Sequence, residues 1–443
     1  MLELRETWQG GLPQGNEVYY EKAVKLEYSS KSLVHLRGVE RMKELQELVI
    51  SAQAMRQFPC EVLQLSRLTV LSLQHTRIAV LPEGLSELPL LNVVCLAFNR
   101  LRALSEDFGK LPLIELELQN NPFTEVPLAV ARLTKLEKLN LSRIACSDLS
   151  DRLQSLTNLQ VAYLSGMGLK TLPELPGSLE ELDLSQNNLG EKGLWTRLVS
   201  YIQGEEIVRQ LSSEIGKLIN LRKLNLSFNS LRDVPDTLGQ CDQLLVLDLS
   251  SNRLSRVPDV LSKMARLVKL SLAHNPISTF CGPVEIGGYL TSLDLTGCGL
   301  SQVEIGKLKN LAELFLGENC LAQLPVGMEF TAEIKILDLH GNRLTVFPDK
   351  PLWLNRLEYL DLSANRLVQI DPCIQAGHNL RALNLSYNPF LEALPNELGN
   401  LPELRKLVIS PWVVDRIPKL SENVELVVDR SVLPGELEGY LES

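Results

Sequence analysis

The chain has 443 residues, of which 45% are hydrophobic and 5% aromatic, so it is not a disordered chain and leucine must supply most of its core. Its formal net charge of −10 argues against nucleic acid or an anionic membrane as the partner. No apolar window reaches the length of a membrane span, and the first residues lack the pattern of a cleavable signal peptide. Eight scattered cysteines show neither zinc-site spacings nor clustered pairs, which is typical of reduced cysteines in a cytoplasmic protein.

Residues 1–44 are predicted to form an amino-terminal cap. Residues 1–20 contain no clear element. A degenerate coil follows, in which Ala23, Leu26 and Leu36 keep the spacing of later coils while the asparagine of those coils is missing. A terminal coil is expected to be atypical because one of its faces has no neighbour.

A regular array is predicted over residues 45–189. The phrase LxxLxLxxNxLxxLP recurs there every 22 or 23 residues, and a fixed period of this length is the signature of a solenoid. The asparagine position holds Ile144 in one coil and Met167 in the next. The coil from Leu169 to Leu189 shortens the period to 20 residues. The phrases begin at Leu45, Leu68, Leu91, Leu113, Leu136 and Leu159.

Residues 190–212 interrupt this array with a helical insertion. An apolar stripe at helical spacing predicts an α-helix over 191–203 on the outer side of the solenoid. A weak strand coil is expected after the helix, around Val208 and Leu211. The helix either covers the convex side of the core or docks a partner, and both interpretations stay open. The stripe consists of Leu194, Trp195, Leu198, Val199 and Ile202.

A second array is predicted over residues 213–418. The phrase that runs from Leu221 to Pro235 is repeated 23 residues later, from Leu244 to Pro258. Two later coils replace the asparagine by cysteine and by tryptophan, at Cys298 and Trp412. Residues 419–443 are expected to form a carboxy-terminal cap, with a last strand in the segment NVELVVD and an acidic tail.

The repeated phrase has a physical basis in stacked parallel strands. The alternation xLxL predicts a short strand whose leucines, at the fourth and sixth positions, face the core. The asparagine at the ninth position turns the chain, and its amide can satisfy backbone groups of its own and the neighbouring coil. The expected fold is a curved α/β solenoid with a parallel sheet on the concave face and short helices, 3-10 turns and extended segments on the convex face. The predicted structural ladder consists of Asn99, Asn121, Asn187, Asn229, Asn252, Asn275, Asn319, Asn342, Asn365 and Asn388.

Residues 23–428 resemble the leucine-rich repeat family. The 23-residue phrases with LPxxLxxL, such as LPEGLSELPLL and VPDTLGQCDQL, are similar to the intracellular class of Ras-pathway scaffold and plant Ras-group proteins. The 20-residue coil LKTLPELPGSLEELDLSQNNL is similar to the repeats of bacterial type III effectors, and NNLGEKGLWTRL to the helix-containing ribonuclease-inhibitor class. The resemblance implies protein binding on the concave sheet, without implying a particular partner.

An acidic line with adjacent aromatic residues is predicted on the concave surface of the second array. The third, fifth, seventh and eighth residues of each phrase are expected to face this surface. Acidic and aromatic side chains together are typical of a binding surface for a basic protein partner. Alternatively, LDLS is a habitual phrase of such repeats and the aspartates are only solvated. The candidate binding residues are Asp248, Asp294, Phe315, Asp338, Tyr359 and Asp361.

A second candidate surface is apolar and lies in the first array. Val70, Val93, Cys95 and Phe98 occupy concave positions of neighbouring coils. Exposed apolar continuity of this kind usually marks an interaction site. The patch could equally be buried under the amino-terminal cap, and the sequence does not decide between the two.

The sequence predicts no catalytic residue, metal site or cofactor. Its five histidines lie in different coils, and it contains no HExxH motif, phosphate-binding loop or GxSxG elbow. Cys146-Ser147-Asp148 resembles the CxD motif of effector ubiquitin ligases, but in those proteins the motif lies in a separate helical domain after the repeats. We interpret Cys146 as structural.

These observations favour a non-enzymatic, cytoplasmic scaffold or adaptor that binds a protein partner. The acidic line favours a partner with a basic surface, and binding to nucleic acid or a membrane is not expected. One alternative is a secreted bacterial effector that binds host signalling proteins, because of the 20-residue coil. Another is a regulatory or substrate-recognition subunit of a kinase, GTPase or ubiquitin-ligase system acting in trans. The sequence leaves the oligomeric state and the partner undetermined.

Overall fold

The computed structural model describes residues 3–4, 22–149, 152–190, 211–280, 288–331, 333–347 and 354–429. Contacts within the chain divide it into two compact units, Met1–Ser230 (unit 1) and Leu231–Ser443 (unit 2). The boundaries predicted at residues 44, 189, 212 and 418 divide the chain into caps, arrays and an insertion. The division into two compact units does not test these boundaries, so they stay predictions.

Unit 1 is built on a parallel sheet in which each described strand pairs with the next strand along the chain. Equivalent positions of successive coils are partners, as Leu48 with Leu71 and Leu71 with Val94. The parallel stack predicted from the phrase is therefore confirmed. The strands are β1 (Glu3–Leu4), β2 (Lys25–Ser30), β3 (Glu47–Ala52), β4 (Val70–Gln74), β5 (Val93–Cys95), β6 (Glu115–Glu117), β7 (Lys138–Asn140), β8 (Val161–Tyr163), β9 (Glu181–Asp183) and β10 (Lys223–Asn225).

Unit 2 repeats this arrangement with its own parallel strands, again paired in chain order. Two short strands, β16 and β18, pair separately on the returning segments of their coils. The last strand, β21, lies in NVELVVD as predicted, and it pairs with β20. The strands are β11 (Val246–Asp248), β12 (Lys269–Ser271), β13 (Ser292–Asp294), β14 (Glu313–Phe315), β15 (Ile336–Asp338), β16 (Val346–Phe347), β17 (Tyr359–Asp361), β18 (Gln369–Ile370), β19 (Ala382–Asn384), β20 (Lys406–Ile409) and β21 (Glu425–Val428).

The segments that return from one strand to the next are mostly 3-10 helices, as expected for the convex side. Proline often stands just before them: Pro235 has φ −72° and ψ 150°, an extended conformation that its ring favours. One α-helix is described, α1 (Leu128–Ala131). The 3-10 helices of unit 1 are Val39–Arg41, Cys60–Gln64, Leu85–Glu87, Glu106–Lys110 and Ser213–Lys217. Those of unit 2 are Asp236–Gln240, Asp259–Lys263, Met328–Phe330, Leu354–Arg356, Pro372–Ala376, Asn396–Asn400 and Pro411–Arg416.

The core of each coil is formed by the leucines of the phrase. In the coil that begins at Leu244, the side chains of Leu244, Leu247, Leu249 and Leu254 are all 1% exposed or less. They approach from the strand and from the segment after the asparagine, as predicted. Burying a leucine in this way contributes about 1.5–3 kcal/mol relative to leaving it in water.

The ladder asparagines bond backbone groups of two neighbouring coils. Asn275, which is 1% exposed, donates through Nδ2 to the carbonyls of Leu249 in the preceding coil (2.9 Å) and of Leu272 in its own coil (2.9 Å). Its Oδ1 accepts the N–H of Leu254 in the preceding coil (3.0 Å). The same pattern of bonds is made by Asn99, Asn121, Asn187, Asn229, Asn319, Asn342, Asn365 and Asn388. Asn252 accepts from Leu231 (3.0 Å) and donates within its own coil to Leu249 (3.0 Å).

The residues that replace asparagine in the ladder differ in whether they keep a hydrogen bond to a backbone carbonyl. The thiol of Cys298 donates to the carbonyl of Leu272 (3.3 Å), so one of the asparagine's bonds is kept. The indole Nε1 of Trp412 donates to the carbonyl of Asn388 (3.1 Å). Ile144 and Met167 are buried and supply only packing.

The residue before the ladder position adopts a left-handed backbone conformation in the regular coils. Side chains at this eighth position include His75 and Phe98, with φ of 53° and 56°. Residues other than glycine rarely adopt this conformation because Cβ crowds the neighbouring carbonyl. Three coils place a glycine there, at Gly166, Gly297 and Gly341.

The predicted insertion lies between two strands that pair with each other. Strand β9 pairs directly with β10, and Asn229 donates to the carbonyl of Leu184, 45 residues earlier (3.0 Å). The coil at Leu221 therefore stacks immediately on the coil at Leu179, and the weak strand coil expected around Val208 and Leu211 does not lie between them; Val208 is outside the described residues. The helix predicted over 191–203 and the acidic tail from 430 onward lie outside the described residues.

Candidate binding surface on the parallel sheet

The candidate residues of unit 2 lie on one face of its sheet, which we call the unit 2 sheet face. Asp294, Phe315, Asp338 and Asp361 are register partners on the neighbouring strands β13, β14, β15 and β17. Asp248 belongs to the same fifth position on β11, two strands from β13. Tyr359 lies two residues before Asp361 on β17 and is 40% exposed. The fold thus brings the predicted acidic and aromatic side chains into one row.

Each aspartate of the row also closes the turn after its strand. The Oδ1 atoms of Asp294 and Asp361 accept the backbone N–H two residues later, from Thr296 (3.0 Å) and Ser363 (2.8 Å). Asn384 makes the equivalent bond with the N–H of Ser386 at 3.2 Å. Because asparagine serves as well, the negative charge is not required by the turn. The sequence did not reveal this structural role.

The second carboxylate oxygens are held by neutral donors. Ser271 Oγ donates to Asp294 Oδ2 (3.2 Å). Asp361 Oδ2 accepts from the hydroxyl of Tyr359 (3.2 Å) and from Asn384 Nδ2 (2.9 Å). Burial and the neighbouring Asp361 raise the pKa of Tyr359 to about 12, so its phenol stays protonated and can donate. These bonds fix the carboxylates without neutralising them.

No described lysine or arginine forms an ion pair with an aspartate of the row. Lys269, on β12 between Asp248 and Asp294, is instead 3.8 Å from the carboxylate of Glu313. The face therefore carries fixed negative charge that the protein itself leaves largely unbalanced. Such charge attracts a cationic partner and speeds its association.

His340 neutralises one member of the row, and sequence reasoning missed it. Its Nδ1 lies 2.8 Å from Asp338 Oδ1, and its Nε2 lies 3.7 Å from Glu318 Oε1. The hydrogen bond to Asp338, with smaller contributions from Asp361 and Glu318, raises the pKa of His340 to about 9 against the effect of its partial burial. His340 is therefore protonated at neutral pH. The sequence does contain a pattern that indicates this pair, a histidine two residues after the aspartate that ends the strand.

Gly317 makes room for this imidazole. A Cβ atom at Gly317 would overlap the His340 ring, which lies across the backbone of the preceding coil. Phe315, two residues before Gly317, is half-buried on the same face. The centre of the row is thus an aromatic ring beside a paired imidazolium and carboxylate.

The second candidate surface is present in unit 1 as a mixed apolar patch. Val70 and Val93 are register partners, and Phe98 is 41% exposed and stacks on His75 with ring centroids 4.2 Å apart. The Cys95 thiol donates to Glu117 (3.2 Å), and burial raises its pKa to about 11. The described part of the predicted cap joins the sheet edge through β2 rather than covering the patch. Residues 5–21 are not described, so the question of a cover stays open.

Several glutamates of the unit 1 sheet face have cationic partners. Lys138 pairs with Glu115 and lies 3.6 Å from Glu117. Lys223 lies 3.0 Å from Glu181. These pairs leave less unbalanced charge than the aspartate row of unit 2, so we regard the unit 2 sheet face as the stronger candidate.

The described residues show no constellation for metal chemistry. No group of three or more His, Cys, Asp or Glu side chains in the described ranges could hold a metal ion. The cysteines in those ranges form no disulfide bond, and Cys146 is buried and donates to the carbonyl of Asp148 (2.9 Å). Within the same ranges, no helix combines the length and apolar character needed to cross a bilayer.

The fold and the ladder define the class of protein as a leucine-rich repeat solenoid. A family model described as "Leucine rich repeat" matches residues 219–277, 332–389 and 355–410, and a second one matches 178–194. The chain is a leucine-rich repeat protein, as its phrase predicted.

The comparisons with known proteins agree on this family. The solved structure of a leucine-rich repeat protein of Leptospira interrogans is 29% identical, with a TM-score of 0.74, and the match covers 90% of this chain and 99% of that one. An adenylate cyclase of Schizosaccharomyces pombe is 34% identical over 113 residues, 26% of this chain and 7% of the cyclase. A leucine-rich repeat and calponin homology domain-containing protein of Mus musculus is 34% identical over 95 residues, 21% of this chain and 13% of that protein.

The matches to these curated relatives span only a small part of their length, so the relatives' whole-protein activities are not transferred to this chain. Leucine-rich repeat proteins generally mediate protein–protein interaction, and their fold is typically a non-enzymatic binding module.

Proposed function

We propose that this protein is a non-enzymatic, cytoplasmic scaffold or adaptor that binds a basic protein partner through the unit 2 sheet face. The observation that carries the proposal is the row of aspartates held by neutral donors, with Asp294 and Asp361 unpaired by any described lysine or arginine. Phe315 and Tyr359 supply aromatic surface beside the charges. Aromatic anchors flanked by complementary charge are typical of binding hot spots.

The cytoplasmic location is supported by the cysteines. None of the described cysteines forms a disulfide bond, and burial raises the pKa of Cys241 and Cys298 to about 11, so these thiols stay protonated at neutral pH. Thiols of this kind behave as small apolar residues of a reducing compartment.

The test selects peptides from a random displayed library on the immobilised full-length protein. We expect the selected peptides to carry net positive charge, and their enrichment to fall as salt rises because exposed charges are screened. A triple variant, Asp294→Asn, Asp338→Asn and Asp361→Asn, keeps the turn acceptors and removes the charge. It should lose the enrichment without losing its fold.

A matched triple variant, Asp236→Asn, Glu304→Gln and Glu329→Gln, removes the same charge from exposed positions on the returning segments of unit 2. It should select the same basic peptides as the wild type. Selection of peptides without positive charge, or equal enrichment by the sheet-face variant, would overturn the proposal.

A further inference from the structure

The charge pattern along the unit 2 sheet face is not uniform. The row crosses four neighbouring strands in register, as Asp294, Phe315, Asp338 and Asp361. The middle aspartate is neutralised by His340, which lies 2.8 Å away, whereas the outer two accept hydrogen bonds from neutral donors alone among the described residues. The row therefore presents an anion, an aromatic ring, a neutral pair and a second anion.

The spacing of the two anions is set by the sheet. Neighbouring strands lie about 4.8 Å apart, so three strand steps place Asp294 and Asp361 about 14 Å apart. A ligand that contacts both must run across the strands rather than along one of them. In an extended chain, side chains four residues apart point the same way and lie about 13 Å apart. The two distances agree.

The centre of the row restricts the middle side chain of such a ligand. A residue two places after the first cation would lie above Phe315 and the His340 imidazolium. A central cation would find no free carboxylate, because Asp338 is already paired with His340, and a central anion would be repelled by the flanking aspartates. An aromatic or aliphatic side chain avoids both penalties and covers the Phe315 ring.

We propose that the unit 2 sheet face recognises an extended segment with two cationic residues four positions apart and an apolar residue midway between them. This inference rests on the proposed function and narrows its partner class. The carboxylates are fixed before binding by Ser271, Tyr359 and Asn384, so little ordering is needed when the ligand arrives.

The first experiment measures fluorescence anisotropy of labelled peptides with the full-length protein. The test peptide contains Lys-Ser-Phe-Ser-Lys between Gly-Ser flanks, and the control has the same composition with its lysines adjacent. The control can still place one lysine on one aspartate, so the second charge contact, of about 0.5–1 kcal/mol, predicts roughly twofold to fivefold tighter binding of the test peptide. Equal affinities of the two peptides would overturn the inference.

The second experiment uses variants that keep the turn acceptor. Asp294→Asn and Asp361→Asn should each weaken the test peptide about twofold to fivefold, the loss of one exposed charge contact. The matched control is Asp183→Asn in unit 1, where the aspartate makes the same turn bond, to Ser185 (2.9 Å). The control should leave peptide affinity unchanged. No loss in either sheet-face variant also contradicts the inference.

The third experiment tests the role of His340. The wild type should prefer a central phenylalanine, in Lys-Ser-Phe-Ser-Lys, over a central lysine. His340→Gln removes the imidazolium and frees Asp338, so the preference should reverse in favour of Lys-Ser-Lys-Ser-Lys. An unchanged preference in folded His340→Gln protein would overturn the central part of the inference. If library selection still yields basic peptides without this spacing, the proposed function stands and the narrower motif fails.

Discussion

His340 Nδ1 lies 2.8 Å from Asp338 Oδ1, and both residues sit on the unit 2 sheet face at the end of β15. The bond couples folding to protonation. An unfolded histidine has a pKa of about 6.5, whereas this one is raised to about 9 in the folded chain. The pair is fully stabilising below the lower value and loses its contribution as pH rises through the upper one.

The pH dependence of stability should therefore differ between the wild type and His340→Gln. Both proteins are unfolded with urea at pH 6, 7.5 and 9.5. At the lowest pH, the free energy of unfolding of the wild type should exceed that of the variant by about 1 kcal/mol, after allowing for solvent screening of a part-exposed pair. The advantage should vanish at the highest pH. His378→Gln, at an exposed histidine, is the control and should show no such trend. A constant difference between wild type and His340→Gln would contradict the coupling.

Removing a ladder amide should cost much more than removing an exposed one. Asn275→Ala deletes the bonds to Leu249, Leu272 and Leu254 and leaves buried backbone groups unpaired. We expect a loss of about 2–4 kcal/mol in the free energy of unfolding. Asn379→Ala also deletes a bond between coils, from the exposed Asn379 amide to the carbonyl of Asn355 (2.5 Å), and should cost less than about 1 kcal/mol. Similar losses in the two variants would show that a buried ladder amide contributes no more stability than an exposed amide.

Restoring the asparagine at the cysteine position should stabilise unit 2. Cys298→Asn can keep the bond to Leu272 and add a second donor and an acceptor in the ladder. The expected gain is about 0.5–1.5 kcal/mol by denaturant unfolding. Cys241→Asn is the control, because Cys241 ends the 3-10 helix Asp236–Gln240 outside the ladder, and it should lose stability instead. A loss in both variants would mean that the Cys298 site cannot accommodate the amide.

The left-handed backbone conformation at the eighth position of the phrase predicts that adding a side chain to a glycine there lowers the stability of unit 2. Gly297 has φ 65°, and a Cβ there would overlap the ring of His274. Gly297→Ala should therefore destabilise unit 2 by about 1–3 kcal/mol, measured by thermal or urea unfolding. Gly288→Ala adds a methyl group where nothing lies within 4 Å, and it should change stability by less than about 0.5 kcal/mol. Equal effects would indicate that neither strain nor the His274 contact matters.

The phrase alone predicted the strands, their parallel order, the buried leucines and the polar ladder. These features depend on residue type at a fixed position, and each coil meets the same position of its neighbour 20 to 24 residues away in the regular arrays. The repeat pattern in the sequence is therefore sufficient to predict such contacts. The same reasoning located Asp294, Phe315 and Asp361 on one face.

The ion pair of His340 could not be predicted in this way. It depends on which rotamer an exposed side chain adopts, and on the space that Gly317 leaves for the ring. The turn bonds of the aspartates were missed because asparagine and aspartate look different by charge but act alike as acceptors. The direct pairing of β9 with β10 was missed because apolar residues around Leu211 resemble a strand coil.

The pairing of β9 with β10 shows that the register between two neighbouring strands does not depend on the number of residues that connect them. Glu181 and Lys223 are strand partners, although 42 positions of sequence lie between them. Sequence can therefore be gained or lost after Leu189 without shifting the side-chain rows on either neighbouring strand. We therefore expect this coil to tolerate insertions while the surfaces of the adjacent coils keep their arrangement.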